Sequence, residues 1–136
     1  MEQPFPPLPL SYPNIDNTTK SGYQGMANTS RDKLRGTLEL LVLRTLAWGP
    51  RHGYAIAKWL EVTTSSALRV EDGSLYPALY RMEQRGWIQS DWRRSELDRP
   101  AKFYRLTAAG KRQLKTETSD WKAFVAAVSI VLEPSK

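Results

Sequence analysis

Cysteine is absent from the chain, and histidine occurs once, at His52. Without cysteine there is neither a disulfide framework nor a thiolate metal site, and the composition suits a reducing cytoplasm. His52 stands beside a Gly-Pro turn with no carboxylate cluster at metal-ligand spacing, so no metal centre is expected. Gly110-Lys111 does not make a phosphate loop, because Arg105 stands where that motif needs its first glycine and Arg112 where it needs Ser or Thr. Long apolar runs are missing too. Phe124 to Leu132, interrupted by Ser129, falls far short of the roughly 20 residues that cross a bilayer. The N-terminus lacks a basic-then-apolar targeting pattern. Together these absences argue against an enzyme, against a bound cofactor and against a membrane protein.

What is present is a chain of 136 residues, the size of one domain, with 20 Lys and Arg against 14 Asp and Glu and a formal charge of +6. That excess favours a polyanionic partner, since Lys and Arg that neutralise phosphates release counterions.

Met1 to Gly25 is crowded with prolines (Pro4, Pro6, Pro7, Pro9, Pro13) and shows no periodicity, so residues 1–28 are expected to form a disordered extension. Met26 offers a second place for translation to begin. A first helix is expected from Thr29 or Ser30, with Asp32 complementing its N-terminus and Leu34, Leu38, Leu41, Val42 and Thr45 on one face. Trp48-Gly49-Pro50 stops it. A second helix, from about His52 to Val62, should bury Ile56 and Leu60 beside Trp59, with Lys58 and Glu61 facing water. Pro77 belongs in a first turn, which sets the start of a third helix near a capping Ser74. Leu75, Leu79 and Met82 form its buried stripe, and Gly86 ends it.

Trp87 to Arg93 and Lys102 to Leu106 read as strands joined by a charged turn around Asp98. Thr107 then caps a last helix in which Leu114, Trp121 and Val128 recur every seven residues, with Val125 and Leu132 one turn after the latter two. At about 1.5 Å per residue this helix is roughly 35–40 Å long and must find a helical partner for part of its stripe. The expected fold is mainly α with a small β-hairpin: a winged helix-turn-helix over residues 29–106, followed by a long dimerisation helix over residues 107–136. Element order alone leaves open a winged-helix module that binds another protein.

Several separated motifs add to this order. Gly53-Tyr54, Gly73-Ser74-Leu75-Tyr76-Pro77-Ala78-Leu79-Tyr80-Arg81-Met82-Glu83, Gly86-Trp87-Ile88 and Tyr104-Arg105-Leu106-Thr107-Ala108-Ala109-Gly110 together resemble the PadR family of transcriptional regulators, in members with a single C-terminal helix. The resemblance implies DNA-binding homodimers, usually repressors, whose C-terminal helices build the dimer with help from the first helix.

On that reading the third helix presents Ser74, Tyr76, Pro77, Tyr80 and Arg81 to double-stranded DNA. One Tyr packing on the wing, or Arg81 lying on a merely solvated face, are the alternatives. Arg94, Arg99 and Lys102 flank the wing turn and can reach phosphate, although Glu96 and Asp98 interrupt their field. Tyr54 and Lys58 lie on the helix that crosses the backbone, where Tyr54 equally suits a gap in the core. Leu114, Trp121, Val125, Val128 and Leu132 are the dimerisation residues. Trp121 also matches, by resemblance, an aromatic that stacks on planar effectors between subunits, with simple core packing as its alternative.

Overall fold

The computed structural model describes residues 37–133. The expected extension at 1–28, the second start at Met26, the cap at Thr29 or Ser30, and Asp32 and Leu34 lie outside them. The elements run α1 (Leu38–Leu46), β1 (Arg51–His52), α2 (Gly53–Thr63), α3 (Asp72–Gln84), β2 (Ile88–Arg94), β3 (Pro100–Leu106) and α4 (Ala108–Leu132).

In α1, Leu38, Val42 and Thr45 are buried at helical spacing, joined by Leu43 and Leu46, which the sequence stripe omits. Thr45 is tolerated in the core because its hydroxyl donates to the Leu41 carbonyl at 2.8 Å. Gly49, at φ +141°, reverses the chain into β1. This strand was not expected, because two residues are too few to show alternation. It pairs antiparallel with β3 (Arg51↔Tyr104, His52↔Phe103), giving a three-stranded sheet of order β1-β3-β2.

α2 begins one residue after the expected position because His52 is its N-cap, with Nδ1 accepting the Ala55 N–H at 3.1 Å. Ile56 and Leu60 are buried as read. Lys58 and Glu61 do not face water: both are buried, with Lys58 Nζ 3.5 Å from Glu61 Oε1 and Arg69 Nε 3.5 Å from Glu61 Oε2. The segment after α2 folds back over this face, since the Ser66 N–H donates to the Glu61 carbonyl at 2.7 Å. A buried carboxylate flanked by two cations is the arrangement that makes such burial tolerable.

α3 starts at Asp72, two residues before Ser74, and Ser74 does not cap it. Glu71 is the N-cap residue, and its carbonyl accepts from the Ser74 and Leu75 N–H groups, both at 2.9 Å. Pro77 therefore lies in the helix interior, past the first turn, and deprives the Gly73 carbonyl of its ordinary donor. Leu75, Ala78, Leu79 and Met82 are the buried stripe and meet Leu43, Ile56 and Ile88 at the centre of the core.

The hairpin pairs Ile88↔Leu106 through Arg94↔Pro100. Its turn closes with Ser95 N–H donating to Arg99 O at 2.8 Å and Asp98 N–H to Ser95 O at 2.9 Å. Asp98 adopts φ +57°, a left-handed conformation that aspartate tolerates.

Thr107 caps α4 as expected, its Oγ1 accepting the Gly110 N–H at 3.0 Å. The same residue ties the helix root to the end of α3: its N–H reaches Trp87 O at 3.0 Å and its hydroxyl lies 2.6 Å from Gly86 O. Leu114 packs against the core. From Ser119 onward α4 is exposed residue after residue.

Candidate nucleic-acid interface

With its apolar stripe satisfied inside, α3 turns Tyr76, Pro77, Tyr80 and Arg81 to solvent and leaves Ser74 half-buried. Tyr80 is 65% exposed and Tyr76 43% exposed. The difference has a local cause. A Cβ built on Gly53 would lie 2.8 Å from Tyr76 Cε1 and Oη, so the phenol rests directly on the bare backbone at the start of α2. Burial, then the nearby Asp72 carboxylate, pushes the Tyr76 hydroxyl above its ordinary range, which further favours its protonated, hydrogen-bond-donating form. Gly53→Ala is expected to leave the fold intact and swing Tyr76 off its seat. On the expectation that Tyr76 contacts DNA, affinity for duplex should fall about as far as in Tyr76→Ala, roughly three- to tenfold for a lost hydrogen bond; an affinity equal to wild type would show that the seat is not needed.

Behind α3, Tyr104 is buried, and its hydroxyl is raised by burial first, then by Glu83 and Tyr76. The sheet face under α3 is thus lined by Ile88, Leu106 and Tyr104, and it continues outward to Ser90, whose hydroxyl donates to Glu83 at 2.7 Å.

Several expected cations are already engaged. Lys58 is withdrawn into the core with Glu61, so it does not offer itself to phosphate as read from the sequence. Its neighbour Tyr54 is surface rather than core, at 56% exposure, with its ring 6.3 Å from that of His52. Arg81 and Arg85 share the Glu39 carboxylate of α1 at 3.5 and 3.0 Å, which holds Arg81 toward α1. Arg94 pairs with Asp98 at 2.8 Å across the wing turn. Lys102 lies 3.9 Å from Glu83, and Arg99 has no acidic partner among the described residues.

Sequence reasoning missed the part played by His52. While Nδ1 caps α2, Nε2 lies 3.6 Å from Glu96 in the wing turn, and the ring stands edge-on to Phe103 at 5.2 Å. The wing and α2 are therefore held by one imidazole, a link no linear pattern could reveal. The Glu96 carboxylate is held below its ordinary range chiefly by its own backbone N–H, with attraction from His52 and Arg51 opposing partial burial. A lowered folded-state value contributes stability above the ordinary carboxylate range and loses it as pH falls through the folded value. Glu96→Gln is expected to flatten that acid limb in thermal melts between about pH 5 and pH 3, and an unchanged limb would assign it to other carboxylates.

On α4, Trp121, Val125, Val128 and Leu132 are exposed, whereas Leu114, the innermost of the expected stripe, belongs partly to the chain's own core. Phe124, Ile130 and Val131 are exposed as well, and the Phe124 ring is 6.1 Å from that of Trp121. Among the described residues there is no His, Cys, Asp or Glu group able to hold a metal ion, and no helix is long and apolar enough to cross a membrane.

Solved structures of similar proteins carry the same fold. A PadR family transcriptional regulator from Eggerthella lenta is 32% identical, covers 85% of this chain and 99% of its own, and superposes with a TM-score of 0.66. A PadR-like transcriptional regulator from Bacillus cereus is 27% identical over 76% of this chain and 99% of its own, with a TM-score of 0.67. An uncharacterised protein from Lysinibacillus sphaericus is 24% identical over 102 residues, spanning 75% of this chain and 94% of that one. Residues 42–116, from α1 through the wing to the first part of α4, match the transcriptional regulator PadR-like family. The chain therefore belongs to the PadR-like family, whose members are DNA-binding regulators of transcription and not enzymes.

Proposed function

We propose that this regulator is a repressor that binds double-stranded DNA as a homodimer. Each α3 enters the major groove of one half of an imperfect inverted repeat, the two halves about one duplex turn apart, while the hairpin grips the adjoining backbone. The observation that carries this reading is the exposed Tyr76-Pro77-Tyr80 face of α3, offered outward beside a hairpin bearing Arg99 and Lys102. Ser74, Tyr76 and Tyr80 supply hydroxyls for base edges or phosphate, and Arg99 and Lys102 supply charge. Such a protein acts where the DNA is, in the cytoplasm.

The α4 surface supports the dimer. A helix that is apolar on several sides is stable when covered on several sides, and Trp121, Phe124, Val125, Val128, Ile130, Val131 and Leu132 all lack that cover. The adjacent Trp121 and Phe124 rings favour one addition: a planar aromatic effector held between subunits would alter the spacing of the two α3 helices and release DNA.

Selection of bound sequences from random duplexes tests the reading. An enriched inverted repeat, bound with a steep salt dependence, is the expected result. Binding that shows no enriched sequence and disappears wholly at moderate salt would overturn it and favour a protein-docking module instead.

A further inference from the structure

Trp92 is the largest exposed side chain on the wing, 69% accessible, and its indole has no ring partner or hydrogen bond among the described residues. Its position follows from the ladder. Side chains alternate along a strand, so Ile88, Ser90, Trp92 and Arg94 share one face of β2. Directly opposed residues of an antiparallel pair share that face too, which adds Leu106, Tyr104 and Lys102 from β3.

The face changes character as it leaves the core. Ile88 and Leu106 are buried. Ser90 reaches α3 through Glu83 at 2.7 Å. Trp92, two residues or roughly 6–7 Å further out, has passed beyond that contact. It projects on the α3 side of the sheet, directly across from Lys102. No contact among the described residues needs an indole there, and water solvates it poorly.

We infer that Trp92 is a DNA-contacting residue that lays its indole against the sugar–phosphate backbone beside the groove entered by α3. This inference rests on the reading of α3 and the wing given above. Duplex DNA is the occupant because two cations beside the indole are able to turn to phosphate: Lys102, directly across the ladder, reaches Glu83 only at 3.9 Å, and Arg99 in the turn has no acidic partner among the described residues, whereas Arg94 on the same strand face is taken by Asp98. The indole also lies beside α3, because its face neighbours Ser90 and Lys102 both reach Glu83 of that helix, at 2.7 and 3.9 Å. An indole offers a deoxyribose a flat apolar surface, and its Nε1–H offers a phosphate a neutral donor. The contact is therefore non-ionic, unlike that of Lys102.

The test compares Trp92→Ala, Lys102→Ala and Tyr76→Ala with wild type on a duplex carrying the selected inverted repeat, across a salt titration. Trp92→Ala is expected to bind about tenfold more weakly with an unchanged salt slope, whereas Lys102→Ala should reduce the slope by about one per subunit. Trp92→Phe should recover part of the loss and lack the quenching of indole fluorescence that DNA causes in wild type. Unchanged melting and sedimentation of Trp92→Ala exclude loss of fold or assembly. If Trp92→Ala binds like wild type while Tyr76→Ala is impaired, the inference fails and the DNA reading stands. If wild type has no preferred duplex, the DNA reading fails and takes the inference with it.

Discussion

Gly110→Ala is expected to destabilise the protein by about 3 kcal/mol, enough to lower the melting temperature by roughly 15 °C in a domain of this size. A Cβ at this position would lie 2.0 Å from the Trp87 carbonyl oxygen and 3.1 Å from Leu106 Cδ2. A carbon normally approaches such an oxygen to about 3.3 Å at best, and backbone cannot rotate aside as a side chain can. The first turn of α4 would have to move outward by more than an ångström. Doing so would break the Thr107 contacts to Gly86 and Trp87 and loosen Leu114 from the core. Gly73→Ala provides the contrast. Its Cβ would meet nothing within 4 Å inside α3, so it should stabilise by about 0.5–1 kcal/mol through helix propensity. Thermal melts of the two variants, measured side by side, are expected to move in opposite directions. A Gly110→Ala melt within a few degrees of wild type would show that the root of α4 is not clamped.

Replacing Val125 and Val128 together by glutamate is expected to yield a monomer. Both side chains lie on the stripe that also carries Trp121 and Leu132, and all four are exposed in the isolated chain. Two charges on each of two facing helices would leave four desolvated carboxylates in an apolar contact, a cost that dispersion cannot offset. With one reading head instead of two, affinity for the inverted repeat should fall by about a hundredfold or more, the loss of effective concentration that links two modules. The α3 face and the wing are untouched, so affinity for a single half-site should be preserved. Sedimentation and half-site titrations check both statements. A doubly substituted protein that still sediments as a dimer would move the association surface elsewhere. Wild type should also melt at a temperature that rises with protein concentration, as association demands.

Much of this was readable from the chain itself, and the exceptions share a cause. The Leu75, Leu79, Met82 stripe and the Thr107 cap depend on neighbours within one or two turns, so spacing reveals them. Pro77 misleads because proline's preference for a first turn is statistical. Here the helix begins earlier, at Asp72, and the proline is accommodated inside it. Lys58 and Glu61 look like a solvated pair at i, i+3; only the return of the chain with Arg69 covers them. β1 is too short for periodicity and exists through its pairing with β3. Of the candidate DNA contacts, Tyr76 and Tyr80 follow from helix phase alone. The diversion of Arg81 to Glu39 and of Arg94 to Asp98 depends on where acids arrive in space. Gly53 and Gly110 matter because other residues, Tyr76 and Trp87, press on their bare backbones, and no local pattern encodes a distant neighbour's approach.

The clamp of Thr107 and Gly110 on Gly86 and Trp87 has a mechanical corollary. It welds the base of a 25-residue arm to the junction that follows α3, so arm and reading head turn as one piece. Over an arm of about 37 Å, a pivot of about 5° at the outer end carries the head sideways by roughly 3 Å, nearly one base-pair step. On the proposed reading, whatever grips the tip of α4 thereby holds a lever on the register of α3 against the duplex.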